Sequence, residues 1–585
     1  MNGKMVRYIL GRMLGVEALL LLLPAFVGIL YGEEKEALSF VIPAVILTCI
    51  FVIAGRKRPE GQVIYGKEGM VVVASAWITW SLFGALPFTL SGSIPNFVDA
   101  FFETVSGFTT TGSSVLRDVE ALPQCMLFWR SFTHWIGGMG VLVFVLMLTN
   151  LDKKNSMYLM RAEVPGPEKD KLVPKTKTTA RILYGIYFGL TLILVIFLMF
   201  GGMNLFDSLI HAFGSAGTGG FSNYADSVGH FDSAYIDYVI SIFMILFGIN
   251  FNLYYFMLLG DFKAFWKNEG LRVYLGIIAT ATILITLNTN QMYGSIMKAF
   301  RYALFQVSTI ITTTGYATTD FNLWPTFSQC IVVLLMIIGA CASSTGGGIK
   351  VSRLMIVFKG VKREIKQLVH PKSVNLIRIN RKKISDETLR GVYVYLLAYA
   401  LLSIVSVLII SLDNQDFTTT FTSVMATLNN IGPGLSAVGP TGNFADFSIL
   451  SKIVFCIDML AGRLEIFPFL TFLTMFAWKR KFLKGESYEN KDKRFNCPDC
   501  GNRCSNLLLC DYTGNQHSLY RYVGSSIISN RNSFNCETLF LWIQKSCENS
   551  YQRFEREQNT PGRRDTFACA WCSLFHWKYF IFPDC

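Results

Sequence analysis

The stretches GFTTTGSS (residues 107–114) and IITTTGYATT (310–319) each place three threonines and a glycine between long apolar segments. Threonine and glycine are poor helix formers, and a hydroxyl group is unfavourable in an apolar core unless it is hydrogen-bonded. In a chain that is 52% hydrophobic, leucine or valine would be easier to bury at these places. The repeated Thr-Thr-Thr-Gly pattern therefore indicates segments in which the backbone oxygens do the chemistry.

The rest of the chain is typical of a polytopic membrane protein. Only 16% of its 585 residues are charged. A spanning helix needs roughly 20 mostly apolar residues, and on that basis we predict about ten of them. The predicted spans are 7–31, 39–55, 70–91, 126–149, 179–201, 234–258, 271–288, 327–357, 388–412 and 448–478.

The basic residues lie on alternate connections, which predicts the orientation of the chain. Segment 151–181 has eight Lys and Arg residues and segment 350–390 has twelve, whereas 202–233 and 412–450 have none. By the positive-inside rule the basic connections and both termini are cytoplasmic. This topology accounts for the net charge of +13 and argues against nucleic-acid binding.

Four outward connections share one pattern, at residues 93–116, 204–227, 294–322 and 416–444. Each has an amphipathic stretch too short to span a bilayer, then a glycine turn, then extended chain. Aligned on these turns, one glycine falls at the same place in each connection: Gly112, Gly220, Gly315 and Gly434. We interpret the unit of helix, half-helix, loop and helix as a fourfold repeat.

Such loops are costly at membrane depth unless their backbone groups face protein or water. Four of them are expected to meet around one aqueous axis, where carbonyl oxygens replace the hydration shell of a cation. Glycine allows the positive φ that lines the carbonyls up on one side. The alternative is a set of glycine-rich packing loops that hold no ion.

Two further features interrupt the apolar segments. The stretch CASSTGGGIK (341–350) should break the predicted helix 327–357, because glycine disfavours a helix interior. A packing kink is the alternative, and a phosphate-binding loop is disfavoured because the full GxxxxGK[ST] pattern is absent from the sequence. Arg463 lies inside the last apolar segment, where it must face water, a partner or the protein interior. A structural ion pair with Glu465 or Asp458 is the alternative to a position in a pore.

These loops, together with SSTGGGIKVSR (343–353) and GRLEIFP (462–468), resemble the Trk/Ktr/HKT superfamily of cation transporters, specifically its TrkG/TrkH type of potassium-uptake subunit. The resemblance covers about residues 5–484. It implies an all-α membrane fold with four helix–pore loop–helix repeats around one pore. The implied division is 1–66 for two extra N-terminal helices, 67–150, 151–262, 263–384 and 385–484 for the repeats, and 485–585 for a tail.

The resemblance also implies the function, which is potassium uptake across the cytoplasmic membrane. Symport of potassium with sodium or protons is the alternative. The implied selectivity filter consists of Thr110, Thr111, Gly112, Thr218, Gly219, Gly220, Thr313, Thr314, Gly315, Gly432, Pro433 and Gly434. The implied gate consists of an intramembrane loop and a pore arginine: Ser344, Thr345, Gly346, Gly347, Gly348 and Arg463.

The expected partners follow from the same family. They are potassium as the transported ion, membrane lipids, a second copy in a homodimer, and a cytosolic nucleotide-binding subunit of the TrkA type. No cofactor is expected in this chain, because its sequence has no dinucleotide fingerprint. The basic segment 359–383 is explained either by topology and anionic lipid or by docking of that subunit. An enzyme is disfavoured because HExxH and GxSxG motifs are absent from the sequence.

The tail does not fit the family pattern. Residues 485–585 hold nine of the fourteen cysteines, including the pairs Cys497/Cys500 and Cys569/Cys572. Two CxxC pairs suggest zinc, but their separation is too wide for a compact zinc ribbon. We expect an extension without a stable fold or a stretch outside the true reading frame.

Overall fold

The computed structural model describes residues 3–57, 59, 66–140, 176–373 and 375–474. This part of the chain is mostly helical with almost no strand, which confirms the prediction of an all-α membrane protein. The prediction about zinc at Cys497, Cys500, Cys569 and Cys572 falls outside the described residues.

The chain begins with helices that pack on one another before the first outward connection. They are α1 (Gly3–Leu20), α2 (Leu22–Leu30) and α3 (Glu34–Ile50), and α3 continues as a π-helical turn over Phe51–Gly55. The backbones touch where Gly11 meets Gly55, since a Cβ built on Gly11 would lie 2.7 Å from the Gly55 nitrogen. Small residues allow this close approach of helices in membranes.

The helices of the remaining described segments follow in chain order. They are α4 (Gly66–Gly84), α5 (Leu86–Ser91), α6 (Phe97–Phe108), α7 (Gln124–Gly138), α8 (Thr176–Phe200), α9 (Leu205–Gly217), α10 (Ala234–Phe247), α11 (Phe251–Leu258), α12 (Phe262–Lys267), α13 (Glu269–Tyr293), α14 (Ile296–Ile311), α15 (Thr326–Ile337), α16 (Val351–Val369), α17 (Asp386–Ile410), α18 (Phe417–Leu428), α19 (Ile449–Arg463) and α20 (Phe467–Leu473). A small hairpin pairs β1 (Arg378–Ile379) with β2 (Lys382–Lys383).

Four short helices, α6, α9, α14 and α18, lie in the connections predicted to face outward and are called the half-helices below. The helix after each half-helix packs both on it and on the next half-helix. Thus α7 packs on α6 and α9, α10 on α9 and α14, α15 on α14 and α18, and α19 on α18 and α6. The last contact returns to the first half-helix, so the four units close a ring.

Within the described residues, six helical stretches are long and apolar enough to cross a membrane: Gly3–Leu30, Glu34–Gly55, Glu68–Ser91, Ala180–Phe200, Glu269–Tyr293 and Asp386–Asp413. The prediction of a single helix over 234–258 is wrong, because α10 and α11 meet at 91°. The Gly248 carbonyl accepts a hydrogen bond from the Cys341 N–H (3.1 Å), and the Phe251 N–H donates to the Ser343 carbonyl (3.1 Å). A distant segment therefore supplies the bonds that the continued helix would have made.

Two other predicted spans are also interrupted. As predicted, the helix over 327–357 breaks around the glycine run; α15 ends at Ile337 and α16 begins at Val351. The predicted span over 448–478 is not one continuous helix, because α19 ends at Arg463 and Ile466 has a φ of +64°; residues 475–478 lie outside the described residues. Pro468 lies in the first turn of α20, and a proline there cannot continue the helix before it.

Candidate functional site

The four half-helices end in the same backbone turn. Just past each helix, one N–H donates to the carbonyl five residues earlier, at 2.8–2.9 Å: Thr111 to Ser106, Gly219 to Gly214, Thr314 to Thr309 and Ile431 to Ala426. The residue before each donor has a left-handed φ of 56–60°: Thr110, Thr218, Thr313 and Asn430. This is the bonding of a Schellman helix end, where glycine is the usual left-handed residue.

A glycine with positive φ follows each donor. Gly112, Gly220, Gly315 and Gly432 have φ values of +85°, +78°, +88° and +100°, and we call them the glycine ring. A Cβ built on Gly112 would lie 2.0 Å from the Gly219 carbonyl oxygen, and one on Gly220 would lie 2.1 Å from that of Thr314. The same contact joins Gly315 to Ile431 (2.1 Å) and Gly432 to Thr111 (2.8 Å). Each glycine therefore packs against the carbonyl of the next loop, and the fourth contact closes the ring.

The prediction of Gly434 as the fourth equivalent glycine is wrong. Gly432 stands two residues after the left-handed Asn430, as Gly112 does after Thr110. Gly434 instead donates its N–H to the Val438 carbonyl (2.6 Å). The fourth loop has a glycine on each side of Pro433. When the four connections are aligned by sequence, the later glycine is matched to the other three.

The four loops are loop 1 (109–115), loop 2 (218–223), loop 3 (312–319) and loop 4 (429–435). The threonines predicted for the filter lie in these loops and are fully buried: Thr110, Thr111, Thr218, Thr313 and Thr314. In loop 1 the hydroxyls of Thr109 and Thr111 are hydrogen-bonded at 2.8 Å, and Thr312 and Thr314 repeat this bond in loop 3. The structure therefore brings together residues from all four predicted loops.

Sequence reasoning missed a set of polar side chains behind the loops. Nine residues before each ring glycine stands a polar residue of the half-helix: Glu103, His211, Gln306 and Ser423. Three of them bond to the chain beyond the glycine. Glu103 accepts from the Val115 N–H (3.1 Å), His211 Nε2 bonds the Ser222 hydroxyl (3.1 Å), and Gln306 donates to the Thr319 carbonyl (3.3 Å). These bonds hold the return segments against the half-helices.

Glu103 also forms a buried ion pair with Arg130 of α7, at 2.7 Å. The two side chains are only 1% and 3% exposed. The Arg130 guanidinium lies 4.0 Å from the centre of the Phe221 ring and donates to the Ser222 carbonyl (3.2 Å). The pair thus connects loop 1 with loop 2. Charged residues inside apolar segments were the signal that could have indicated it.

The segment between α15 and α16, residues 338–350, contains the stretch predicted as the intramembrane loop and is called by that name below. Its Gly339 N–H donates to the Ile349 carbonyl (2.8 Å), so its two ends lie together. Its glycines lie against loops 3 and 4. The Gly347 N–H donates to the Thr313 hydroxyl (2.6 Å), and a Cβ built on Gly347 would lie 2.4 Å from the Asn429 carbonyl oxygen. Of the residues predicted as the gate, the three glycines 346–348 therefore lie against loops 3 and 4, whereas the hydroxyls of Ser344 and Thr345 donate to the carbonyls of Cys341 and Phe247.

Two cationic side chains bind the carbonyls of this intramembrane loop. Arg463 donates to the Thr345 carbonyl (2.7 Å) and also to the carbonyls of Gly137 (2.5 Å) and Gly138 (2.7 Å) at the end of α7. The buried Lys350 amine donates to the carbonyls of Gly346 and Gly347. The carbonyls of three consecutive residues, 345–347, thus all accept hydrogen bonds from positively charged side chains.

The acidic residues suggested as partners of Arg463 have other contacts. Glu465 pairs with Arg353 at 2.5 Å, and Asp458 accepts a hydrogen bond from Ser406 (2.7 Å). Among the residues that the structure describes, no three His, Cys, Asp or Glu side chains form a group that could hold a metal ion.

Comparison with known proteins assigns the family. The TrkH family model, described as "Cation transport protein", matches residues 39–480. The Trk system potassium uptake protein TrkH of Salmonella typhimurium is 37% identical over 465 residues, which is 78% of this chain and 96% of that protein. TrkH of Vibrio parahaemolyticus is 34% identical over 487 residues, covering 82% of this chain and 100% of that protein.

A solved structure agrees with the sequence matches. The crystal structure of the potassium transporter TrkH from Vibrio parahaemolyticus superposes with a TM-score of 0.74 at 32% sequence identity, covering 82% of this chain and 100% of that one. The predicted resemblance is therefore confirmed, and the family is one of transporters and not of enzymes. The chain belongs to the TrkH family of cation transport proteins.

Proposed function

We propose that this protein takes up potassium across the cytoplasmic membrane, and that the glycine ring forms the narrowest, selective part of the path. The observation that carries the proposal is the closed contact of four positive-φ glycines, each against a carbonyl of the next loop. Relatives 34–37% identical that carry the name potassium uptake protein support the choice of ion.

The half-helices favour a cation at this place. Each one ends at the ring, and the C-terminal end of a helix has a partial negative charge. Backbone carbonyls around the axis can then replace the water that the ion loses. In this proposal the filter consists of Thr110–Gly112, Thr218–Gly220, Thr313–Gly315 and Asn430–Gly432, with Pro433 and Gly434 following in the fourth loop.

The intramembrane loop is the proposed gate. Gly346–Gly348 lie against loops 3 and 4, so in this proposal an ion that has passed the ring meets them next, together with the preceding Ser344 and Thr345. Arg463 links this loop to the end of α7 and places a positive charge beside it. To open the gate, the intramembrane loop has to move away from loops 3 and 4. The hydrogen bonds that its carbonyls accept from Arg463 and Lys350 would then break or form again in a new position.

The family also guides the proposed assembly. We propose a homodimer in which each copy has its own path, with both termini in the cytoplasm and repeats that begin at residues 67, 151, 263 and 385. A cytosolic nucleotide-binding subunit of the TrkA type would act on the gate, and the basic segment 359–383 is its proposed docking site.

The test is potassium uptake by a bacterium that lacks its own uptake systems, with this chain and a regulatory subunit supplied. We expect growth on low potassium, both for residues 1–585 and for residues 1–484. Gly315→Ser should admit sodium, because the added side chain displaces the loop 4 carbonyl that packs on this glycine. Gly276→Ser is the matched control, since a Cβ built there meets no atom within 4 Å.

The outcomes separate the alternatives. No uptake by correctly inserted protein would reject the potassium assignment. Uptake that stops when the sodium or proton gradient is removed, while the potassium gradient is kept, would favour symport. If sodium entry is equal in Gly315→Ser and Gly276→Ser, the glycine ring does not determine ion selectivity.

A further inference from the structure

Loop 2 is supported differently from loops 1 and 3. In loops 1 and 3, two threonine hydroxyls bond one another across the helix end: Thr109 with Thr111, and Thr312 with Thr314. The equivalent residues at the second helix end are Gly217, the last residue of α9, and Gly219 of loop 2, which have no side chain to form this bond. Loop 2 has the same turn and the same ring contact, so something else must hold its backbone.

The space of the missing side chains is occupied by His134 of α7. A Cβ built on Gly219 would lie 2.3 Å from Cγ, 2.4 Å from Nδ1 and 2.6 Å from Cδ2 of the imidazole. A Cβ built on Gly217 would lie 2.3 Å from the His134 carbonyl oxygen. The imidazole is fully buried and lies 4.2 Å, centre to centre, from the ring of Phe221. Glycine at positions 217 and 219 thus makes room for this histidine.

Both imidazole nitrogens are hydrogen-bonded, and the two bonds join two loops. Nδ1 lies 2.7 Å from the Gly107 carbonyl oxygen, at the end of the first half-helix. The Phe221 N–H donates to Nε2 at 3.3 Å, and Phe221 directly follows the ring glycine Gly220. A carbonyl requires a donor, so Nδ1 carries the proton and Nε2 accepts, which is one neutral tautomer.

We infer that His134 is a positioning residue for ion selectivity, in place of the threonine pair that supports loops 1 and 3. His134 fixes the position of the Gly219 carbonyl, which packs on Gly112 in the ring. Through its bond to the Phe221 N–H, it also fixes the backbone that follows Gly220. This inference rests on the proposed function, because it assigns a role within the same selective path. The competing interpretation is a buried histidine that contributes only to folding.

The contact with Gly219 provides a reciprocal test. The three atoms nearest to a Cβ at Gly219 all belong to the His134 imidazole. Gly219→Ala alone should therefore lose potassium uptake. His134→Ala should retain uptake but lower the potassium-to-sodium uptake ratio by about fivefold, as expected when the hydrogen bond to the Phe221 N–H beside the ring is lost. In the double variant the alanine at 219 has room, so its ratio and rate should equal those of His134→Ala.

Two further variants distinguish positioning from folding. His134→Gln keeps one N–H donor and one carbonyl acceptor, so it should restore part of the selectivity. Leu192→Ala, at an exposed leucine of α8 that lies outside the four loops and outside segment 359–383, is the control and should not change the ratio. The readouts are the ratio of potassium to sodium uptake and the melting temperature of the purified protein.

Each result decides the inference. An unchanged ion ratio in His134→Ala, with only a lower melting temperature, would overturn it in favour of a folding role. Loss of uptake in the double variant beyond that of His134→Ala would contradict the space argument. Absence of potassium uptake in the unmodified protein would instead reject the proposed function, so the two failures are distinguishable.

Discussion

Among the described residues, the Glu103–Arg130 ion pair and His134 hold loops 1 and 2 of the glycine ring, whereas loops 3 and 4 contact the intramembrane loop. On the first side, the Glu103–Arg130 pair and His134 connect the two loops to each other. On the second side, Thr313 and the carbonyl of Asn429 contact Gly347. One half of the ring is thus joined to a helix and the other half to a segment without regular helix.

The difference shows that the repeated feature is the backbone turn and not the side chains that support it. In all four loops a residue with left-handed backbone conformation is followed, two positions later, by a glycine with positive φ. Their supports are a threonine pair, a histidine, a second threonine pair and, in loop 4, Asn430, which donates to the Thr111 hydroxyl (2.9 Å). A movement of the intramembrane loop would reach loops 3 and 4 directly, but loops 1 and 2 only through them or through Arg463.

The largest expected effect comes from the ring itself. Gly220→Ala should abolish potassium uptake, because the new Cβ would lie 2.1 Å from the Thr314 carbonyl oxygen and the residue has a φ of +78°. Gly432→Ala meets its neighbouring carbonyl at 2.8 Å and should be less damaging, although its φ of +100° still strains it. The two variants are compared by their initial rates of potassium uptake, corrected for the amount of protein in the membrane.

Gly434→Ala is the matched control for the fourth loop. Two of the three atoms nearest to its Cβ belong to side chains, those of Thr422 and Val438, and it lies outside the ring. We expect a smaller loss of uptake than for Gly432→Ala. The reverse order would restore the alignment that takes Gly434 as the fourth equivalent glycine.

The next effect compares the supports of loops 1 and 3 at equivalent positions. Glu103→Gln leaves the Arg130 charge buried without its partner, and breaking a buried pair in this way typically costs about 3–5 kcal/mol. Gln306→Ala removes one neutral hydrogen bond, to the Thr319 carbonyl, and should cost only about 1 kcal/mol. Thermal unfolding of the purified protein in detergent should separate the two variants clearly.

A double variant shows whether charge is the cause. Glu103→Gln combined with Arg130→Met removes both charges, and replacing a buried pair by uncharged groups is often close to neutral. Its melting temperature should therefore exceed that of Glu103→Gln alone. Equal losses for Glu103→Gln and Gln306→Ala would mean that the two sides of the ring do not differ in the way described.

Much of this arrangement could be predicted from the sequence because its signals are local. The short amphipathic stretches and their glycines indicated the half-helices, and three adjacent glycines indicated the break between α15 and α16. Features that depend on distant contacts could not be predicted. The bend after α10 depends on bonds with residues 341 and 343, and the choice of Gly432 over Gly434 depends on packing against Thr111. Likewise, no local pattern places His134 in the space left by Gly217 and Gly219.

The smallest expected effect concerns the side of the ring that contacts the intramembrane loop. Lys350→Met leaves the buried carbonyls of Gly346 and Gly347 without the amine that binds them, which should weaken the closed position by roughly 1–3 kcal/mol. Basal potassium uptake without a regulatory subunit should therefore rise about tenfold. Lys359→Met, in the helix α16 that follows Lys350, removes a lysine that is paired with Glu269; it is the matched control and should leave basal uptake unchanged. A lower basal rate in Lys350→Met at equal protein amount would show instead that the lysine assists the ion, and the gate would then have to be sought elsewhere.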